Sequence, residues 1–226
     1  MSQETITNNV FAFLKKLEKN NTREWFTEHK SEFKEIELSV KKFYTSVMEN
    51  MNVHDEIEKM KLFRIYRDVR FSKDKTPYKS HFAGSFTRAG AANRGGYYMR
   101  IKPGETAIAV GFFDPNKEDL LRIRKELELD ASEFIEVTTK PNFKKIWGTI
   151  EGDDLKTAPK GFDKEHKNIE LLRRKQFIFS RSFTDKEVLA PNFIEEVNTS
   201  FKAIRPYFNL MSDILTTNLN GESLLD

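Results

Sequence analysis

Phe26, Phe33, Ile36, Val40, Phe43 and Val47, with His29 in register, recur at alternating spacings of three and four, and no Gly or Pro interrupts residues 21–51. That period puts the apolar residues on one stripe and predicts a single long helix. At 1.5 Å per residue it would run roughly 45 Å, enough to cross a whole face of a domain. The rest of the chain must therefore supply a long apolar surface for it to lie on. Asn21 with Glu24 three residues on has the form of a capping box at its start. Ahead of it, Val10, Leu14 and Leu17, broadened by Phe11 and Phe13, predict an amphipathic helix over 5–19.

After Lys61 the spacing changes. LFRIY has strand composition, SKDKTPYK is turn-rich, HFAGSFT resumes as a strand and AGAANRGG is a flexible connector. YYMRI and TAIAVGFF, joined by Lys102, Pro103, Gly104 and Glu105, read as a hairpin. The second of these strands is apolar on both faces, which places it inside a sheet covered by helices. Helical signals return at 117–129 and at 131–139, the latter capped by Asp130 with Glu133 at N3. Residues 140–165 are rich in Gly and Pro and read as loop. A short helix near 167–174 leads to the strand KQFIFSRSF, then a capping box of Thr184 and Glu187, then helices over 191–203 and 206–219. Helices, a strand cluster, helices, one late strand and helices again make an α+β order. The expectation is one α+β domain over 1–226: an antiparallel or mixed sheet, from strands near 62–113 and 176–183, covered by the long N-terminal helix and the C-terminal helices. A chain of 226 residues is within reach of one core.

Composition excludes several classes. With 38% hydrophobic residues and 20 Phe, the chain can bury enough surface to fold. No apolar run approaches the roughly 18 residues of a membrane span, and MSQETITNN lacks the basic and apolar regions of a secretory signal, so no membrane partner and a cytoplasmic location are expected. Without Cys there is no thiolate nucleophile, Cys-ligated zinc, iron-sulfur cluster or disulfide. The four His form no i, i+4 or HxH pair, so no metal site is expected and no cofactor is indicated.

Charge is concentrated. The net charge is +3, yet residues 61–102 carry eleven Lys or Arg against Asp68 and Asp74 alone. Such a segregated field favours an anionic partner. Within it, alternation puts Phe63, Ile65, Arg67, Val69 and Phe71 on one face and Arg64, Tyr66, Asp68 and Arg70 on the other. A cation on an apolar face is costly unless paired, so Arg67 requires a carboxylate, a set of carbonyls or a bound anion. The candidate site has Arg64, Arg67 and Arg70 as anion clamps, Lys73 and Lys79 as outer charges, Asp68 and Asp74 as orienting acids, and Tyr78 beside them. Arg181, aligned with Phe177, Phe179 and Phe183, is a second cation on an apolar strand face. His81 or Asp68 is the candidate general base, with phosphoryl transfer or phosphoester hydrolysis as the reaction class. His29 reads as a core residue, His54 as a helix-end residue and His166 as a weaker acid-base candidate. Two other readings stay open: a nucleic-acid-binding module that stacks bases on Tyr78, Tyr97 and Tyr98, and a structural or adaptor domain whose Arg and Asp residues form an internal network.

NNTREWF, FRIYRDVRFSKDKTPYK, GGYY, GFFDP followed by LLRIR, and LKTAPKGFD through EHKNIELLRRK together resemble the domain of unknown function 2461 family over nearly the whole chain. The resemblance implies no established activity. It implies characteristic polar positions at Asn21, Trp25, Arg64, Arg67, Asp68, Arg70, Ser72, Asp74, Lys75, Tyr78, Lys79, Lys156, His166 and Lys175, with Pro77, Pro159 and Gly161 among them. Lys167 departs from the pattern, which implies Pro after the His.

Overall fold

The computed structural model describes residues 4–225. Along the chain it has α1 (Asn8–Lys19), α2 (Arg23–Glu28), α3 (Lys30–Met51), β1 (Ile57–Leu62), β2 (Phe82–Arg88), β3 (Gly96–Ile101), β4 (Thr106–Phe112), α4 (Lys117–Leu129), α5 (Ser132–Thr139), α6 (Pro141–Trp147), α7 (Ile169–Leu172), β5 (Phe177–Phe183), α8 (Asp185–Val188), α9 (Phe193–Ala203) and α10 (Arg205–Thr216). The strands form one antiparallel sheet in the order β1-β2-β3-β4-β5, so the fold class is α+β as the sequence implies. Two compact units gather the residues: a first of 4–87, 98–108 and 182–199, and a second of 88–97, 109–181 and 200–225.

In the first unit, the stripe of α3 is buried at Phe33, Ile36, Val40, Phe43, Val47 and Met51, and α1 buries Val10, Phe13, Leu14 and Leu17 beside it. Phe33 stacks on Phe82 at 6.1 Å and Tyr44 on Phe86 at 5.8 Å. The Tyr44 hydroxyl donates to the Met99 carbonyl (2.9 Å), which satisfies a buried polar group that would otherwise cost free energy. Gly84 permits this approach: a Cβ there would lie 2.7 Å from the Tyr44 ring.

The long helix is interrupted where its sequence shows no breaker. α2 ends and α3 begins at His29, whose ring stacks on Trp25 at 4.0 Å while Nδ1 donates to the Trp25 carbonyl (2.8 Å). The Trp25 carbonyl thus accepts from both the His29 ring and the His29 amide (3.1 Å) at the junction. Nor is Asn21 the cap. Thr22 accepts from the Trp25 amide (3.2 Å), which frees Asn21 for another task.

In the second unit, Tyr207 on α10 is the hub. Its buried ring meets Phe134, Phe143 and Phe179 edge-on at 6.0, 6.4 and 5.1 Å, and its hydroxyl donates to the Phe177 carbonyl (3.0 Å). Phe143 and Trp147 explain why α6 forms inside the stretch expected to be loop. Pro141 opens this helix, where a missing amide hydrogen costs nothing, and both aromatics then reach the core. α5 starts after Ala131, one residue later than expected, so that Asp130, accepting from the Ser132 amide (2.9 Å), precedes the cap. The arginine deepest in an apolar environment is Arg88, 3% exposed, which donates to the Arg94 carbonyl (2.6 Å) and Asn93 Oδ1 (3.1 Å) beneath the Phe208 ring.

Candidate functional site

Residues 63–80 form a self-closed loop rather than the strand that LFRIY suggests. The Phe63 amide still donates to the Ala83 carbonyl (2.8 Å), but Arg67 N then bonds Pro77 O (2.9 Å), Lys79 N bonds Ile65 O (2.8 Å), and Tyr66 bridges Tyr78. These bonds satisfy locally the groups a sheet neighbour would otherwise take. Asn21 supplies the tether: its amide donates to Tyr78 O (2.9 Å) and its oxygen accepts from Tyr78 N (3.1 Å), while Phe26 stacks on the Tyr78 ring at 4.0 Å. Tyr78 is buried and anchors the loop. Burial alternates as expected from Arg64 to Arg70, yet Phe71 breaks the pattern at 95% exposed.

Two of the three guanidiniums answer different carboxylates. Arg67, half-buried, donates from Nη1 to Asp74 and to the Thr76 hydroxyl. The Thr76 amide, then Arg67 and the Thr76 hydroxyl, hold the Asp74 carboxyl down to about 2. Arg70 grips Asp68 through Nε (3.0 Å) and Nη2 (2.6 Å), which lowers the proton affinity of Asp68. Lys75 is spent on the Val69 carbonyl (2.9 Å) and Lys79 on the Arg64 carbonyl (3.1 Å), while Arg64 and Lys73 are exposed. Arg181, in the second unit, donates to Ser200 Oγ (2.6 Å). The internal Arg–Asp pairing raised as an alternative is therefore present in this loop.

A second cationic group lies where the loop returns to the sheet. In β3, Tyr97, Met99 and Ile101 are buried, whereas Tyr98 and Arg100 point the other way and are half-exposed. His81 precedes β2, half-buried, and its ring makes no hydrogen bond among the described residues. Burial pushes its pKa down to about 4, helped by Arg100, Lys79 and Lys102 and opposed by Glu105. Lys102 is ion-paired to Glu105 and lies 3.9 Å from Glu18. Arg100 donates from Nε to the Glu105 carbonyl (3.0 Å), with Nη2 3.8 Å from its carboxylate. Three cations thus surround His81 against two carboxylates, and His81 is an unprotonated imidazole at neutral pH.

A family model described as conserved hypothetical protein (DUF2461) matches residues 9–209. The chain belongs to the DUF2461 family. No curated protein and no solved structure matches it. In this DUF2461 chain the polar positions named from the resemblance fall in both units. Asn21, Arg67, Asp68, Arg70, Asp74, Lys75, Tyr78 and Lys79 build the loop of the first. In the second, His166 accepts from the Asn168 amide (3.1 Å) and so fixes a turn. His54 donates to Asn198 Oδ1 (2.9 Å), as a helix-end residue does. Among the described residues no group of three or more His, Asp or Glu could hold a metal ion, and no helix is long and apolar enough to cross a membrane.

Sequence reasoning named His81, Lys79 and Tyr98 but left Arg100 and Lys102 out of the site. The signal was available: Arg100 shares with Tyr98 the polar phase of a strand whose other phase is wholly apolar.

Proposed function

We propose that the first unit recognises a phosphate-bearing or similar anionic ligand on the sheet face around His81. One observation carries the reading: a half-buried imidazole with no hydrogen-bond partner among the described residues lies in the field of Lys79, Arg100 and Lys102, which Glu105 and Glu18 offset only in part. An anion seated there would neutralise the excess and accept hydrogen bonds from donors already held in place. Each charge-assisted bond contributes about 1.5 to 3 kcal/mol, so roughly five bonds from Lys79, Arg100, Lys102 and His81 total about 8 to 15 kcal/mol, whose upper end leaves micromolar affinity after association costs. Proton transfer at a bound phosphoester falls to His81, whose neutral ring can accept a proton at physiological pH. The Arg67–Asp74 and Arg70–Asp68 pairs hold the loop that delivers Lys79 and His81.

Calorimetric titration with pyrophosphate at pH 7 and low salt tests this. Saturable binding in the micromolar range is expected, and no binding up to millimolar concentrations contradicts it. A second reading draws on Phe71, 95% exposed with the Arg70 guanidinium 5.9 Å from its ring, an arrangement that suits base stacking on a single-stranded nucleic acid. Salt separates the two. A backbone reader loses affinity linearly in log salt with a slope set by the phosphates it contacts, and a small site holding one ligand loses less.

A further inference from the structure

The second unit has a pocket of about 350 Å³, at the lower end of the roughly 300 to 1,000 Å³ typical of small-molecule sites. Phe134, Ile135, Ile150, Leu171 and Phe179 give it apolar walls. The polar groups around it are largely committed elsewhere. Thr138 and Thr139 donate their hydroxyl protons to the Phe134 and Ile135 carbonyls (2.8 and 2.7 Å), Asn168 donates its amide to the Leu127 carbonyl (2.9 Å), and Glu170 pairs with Arg173 (3.1 Å). Lys144 and Lys167 also line it, and neither is ion-paired among the described residues. Lys167 acts on Asp130 only through space, and that carboxylate is already engaged by Ser132.

An apolar cavity whose available donors are two ammonium groups and the Thr149 hydroxyl selects for an apolar body with one anionic end. We infer that this pocket binds a small aliphatic carboxylate, a medium-chain fatty acid, with the chain against the phenylalanines and the carboxylate at Lys144 and Lys167. The inference is independent of the site around His81. A phosphate-rich polar ligand would leave the walls unused, and a neutral alkane would leave the lysines unanswered.

The test titrates the full chain with octanoate, hexanoate and octanol, following amide shifts by NMR. Octanoate is expected to bind saturably and to shift the resonances of Ile135 and Leu171. Hexanoate, two methylenes shorter, is expected to bind about 15-fold more weakly. The exposed pair Lys144→Glu/Lys167→Glu should weaken octanoate at least tenfold and leave octanol unchanged. Ile135→Trp, at a position 44% exposed, should fill the pocket and abolish binding of both ligands without unfolding the protein. No saturable octanoate binding, equal affinities for octanol and octanoate, or octanoate binding unaffected by the charge reversal would each overturn the assignment.

Discussion

Gly111→Ala is expected to lower stability by about 4 kcal/mol, because it combines an unfavourable backbone conformation with a clash that nothing can relieve. Gly111 lies in β4 at φ +128°, a region side-chain-bearing residues rarely adopt, and a Cβ there would sit 2.1 Å from the Phe177 carbonyl oxygen and 3.0 Å from the Ile178 Cα. Both obstacles are backbone, and the Phe177 carbonyl is also the acceptor for the buried Tyr207 hydroxyl, so moving it disturbs the hub of the second unit. For a chain of this length the melting temperature should fall by about 10 °C. Gly104→Ala is the control. Its φ of +76° is also positive, but a Cβ there meets nothing within 4 Å, and a cost near 1 kcal/mol is expected. Thermal unfolding of the two variants beside the parent checks the difference, and equal melting temperatures for both would contradict the close approach of β4 and β5.

Arg100→Gln combined with Lys102→Gln is expected to weaken pyrophosphate binding by about 100-fold while leaving the fold intact. Arg100 is the largest cationic influence on His81 and Lys102 adds to it from the same hairpin, while Lys79 is already bonded to the Arg64 carbonyl and its own charge is disfavoured by burial. Stability should change by less than about 1 kcal/mol per pair, because Arg100 and Lys102 are partnered at the surface by Glu105, where ion pairs contribute little. Loss of affinity with an unchanged melting curve distinguishes a ligand site from scaffolding. An unchanged affinity would place the anion elsewhere, with Arg64 and Lys73 on the loop as the remaining exposed cations. The corresponding change at Arg70, which holds Asp68 at 76% side-chain exposure, should leave pyrophosphate affinity nearly unaltered.

Most of the fold was legible because it rests on periodicity. The apolar stripe of α3, the hairpin of β3 and β4, the strand at Phe177 and the capping box at Thr184 were each written in spacing or turn chemistry, and the capping box is present at Thr184 and Glu187 with both of its hydrogen bonds. What was not legible depends on tertiary choices. At the break at His29 the side chain bonds back to the Trp25 carbonyl and stacks on the Trp25 ring, contacts that spacing cannot reveal. The loop over 63–80 has strand composition at its start, yet its backbone pairs internally because Asn21, distant in sequence, holds Tyr78. α6 hides among Gly and Pro because only Phe143 and Trp147 mark its buried side.

The candidate site was read in part. The excess of cations over 61–102 was visible, but which cations answer which carboxylates depends on side-chain reach, and Arg67 and Arg70 turn out to serve Asp74 and Asp68. The need for a partner on an apolar face, argued for Arg67, is met by Asp74 and Thr76 there. It recurs more strongly at Arg88, which alternation along HFAGSFTR already places in phase with Phe82 and Phe86. His81 drew attention through its place after the basic turn, and its electrostatic surroundings became visible only when β3 brought Arg100 beside it.

His81 also ties the anion reading to stability. A histidine whose pKa in the folded protein lies below its unfolded value of about 6.5 leaves stability intact above that pH and withdraws it as the pH falls toward 4, since the unfolded chain then binds the extra proton. A bound anion works against this by stabilising the imidazolium. The most direct measurement is therefore the titration of the His81 ring by NMR at low ionic strength, without and with saturating sulfate, which stays dianionic across the range. A midpoint near 4 that rises by at least one pH unit with sulfate is the predicted result. A midpoint already near 6.5 in the free protein, or one that sulfate does not move, would contradict it.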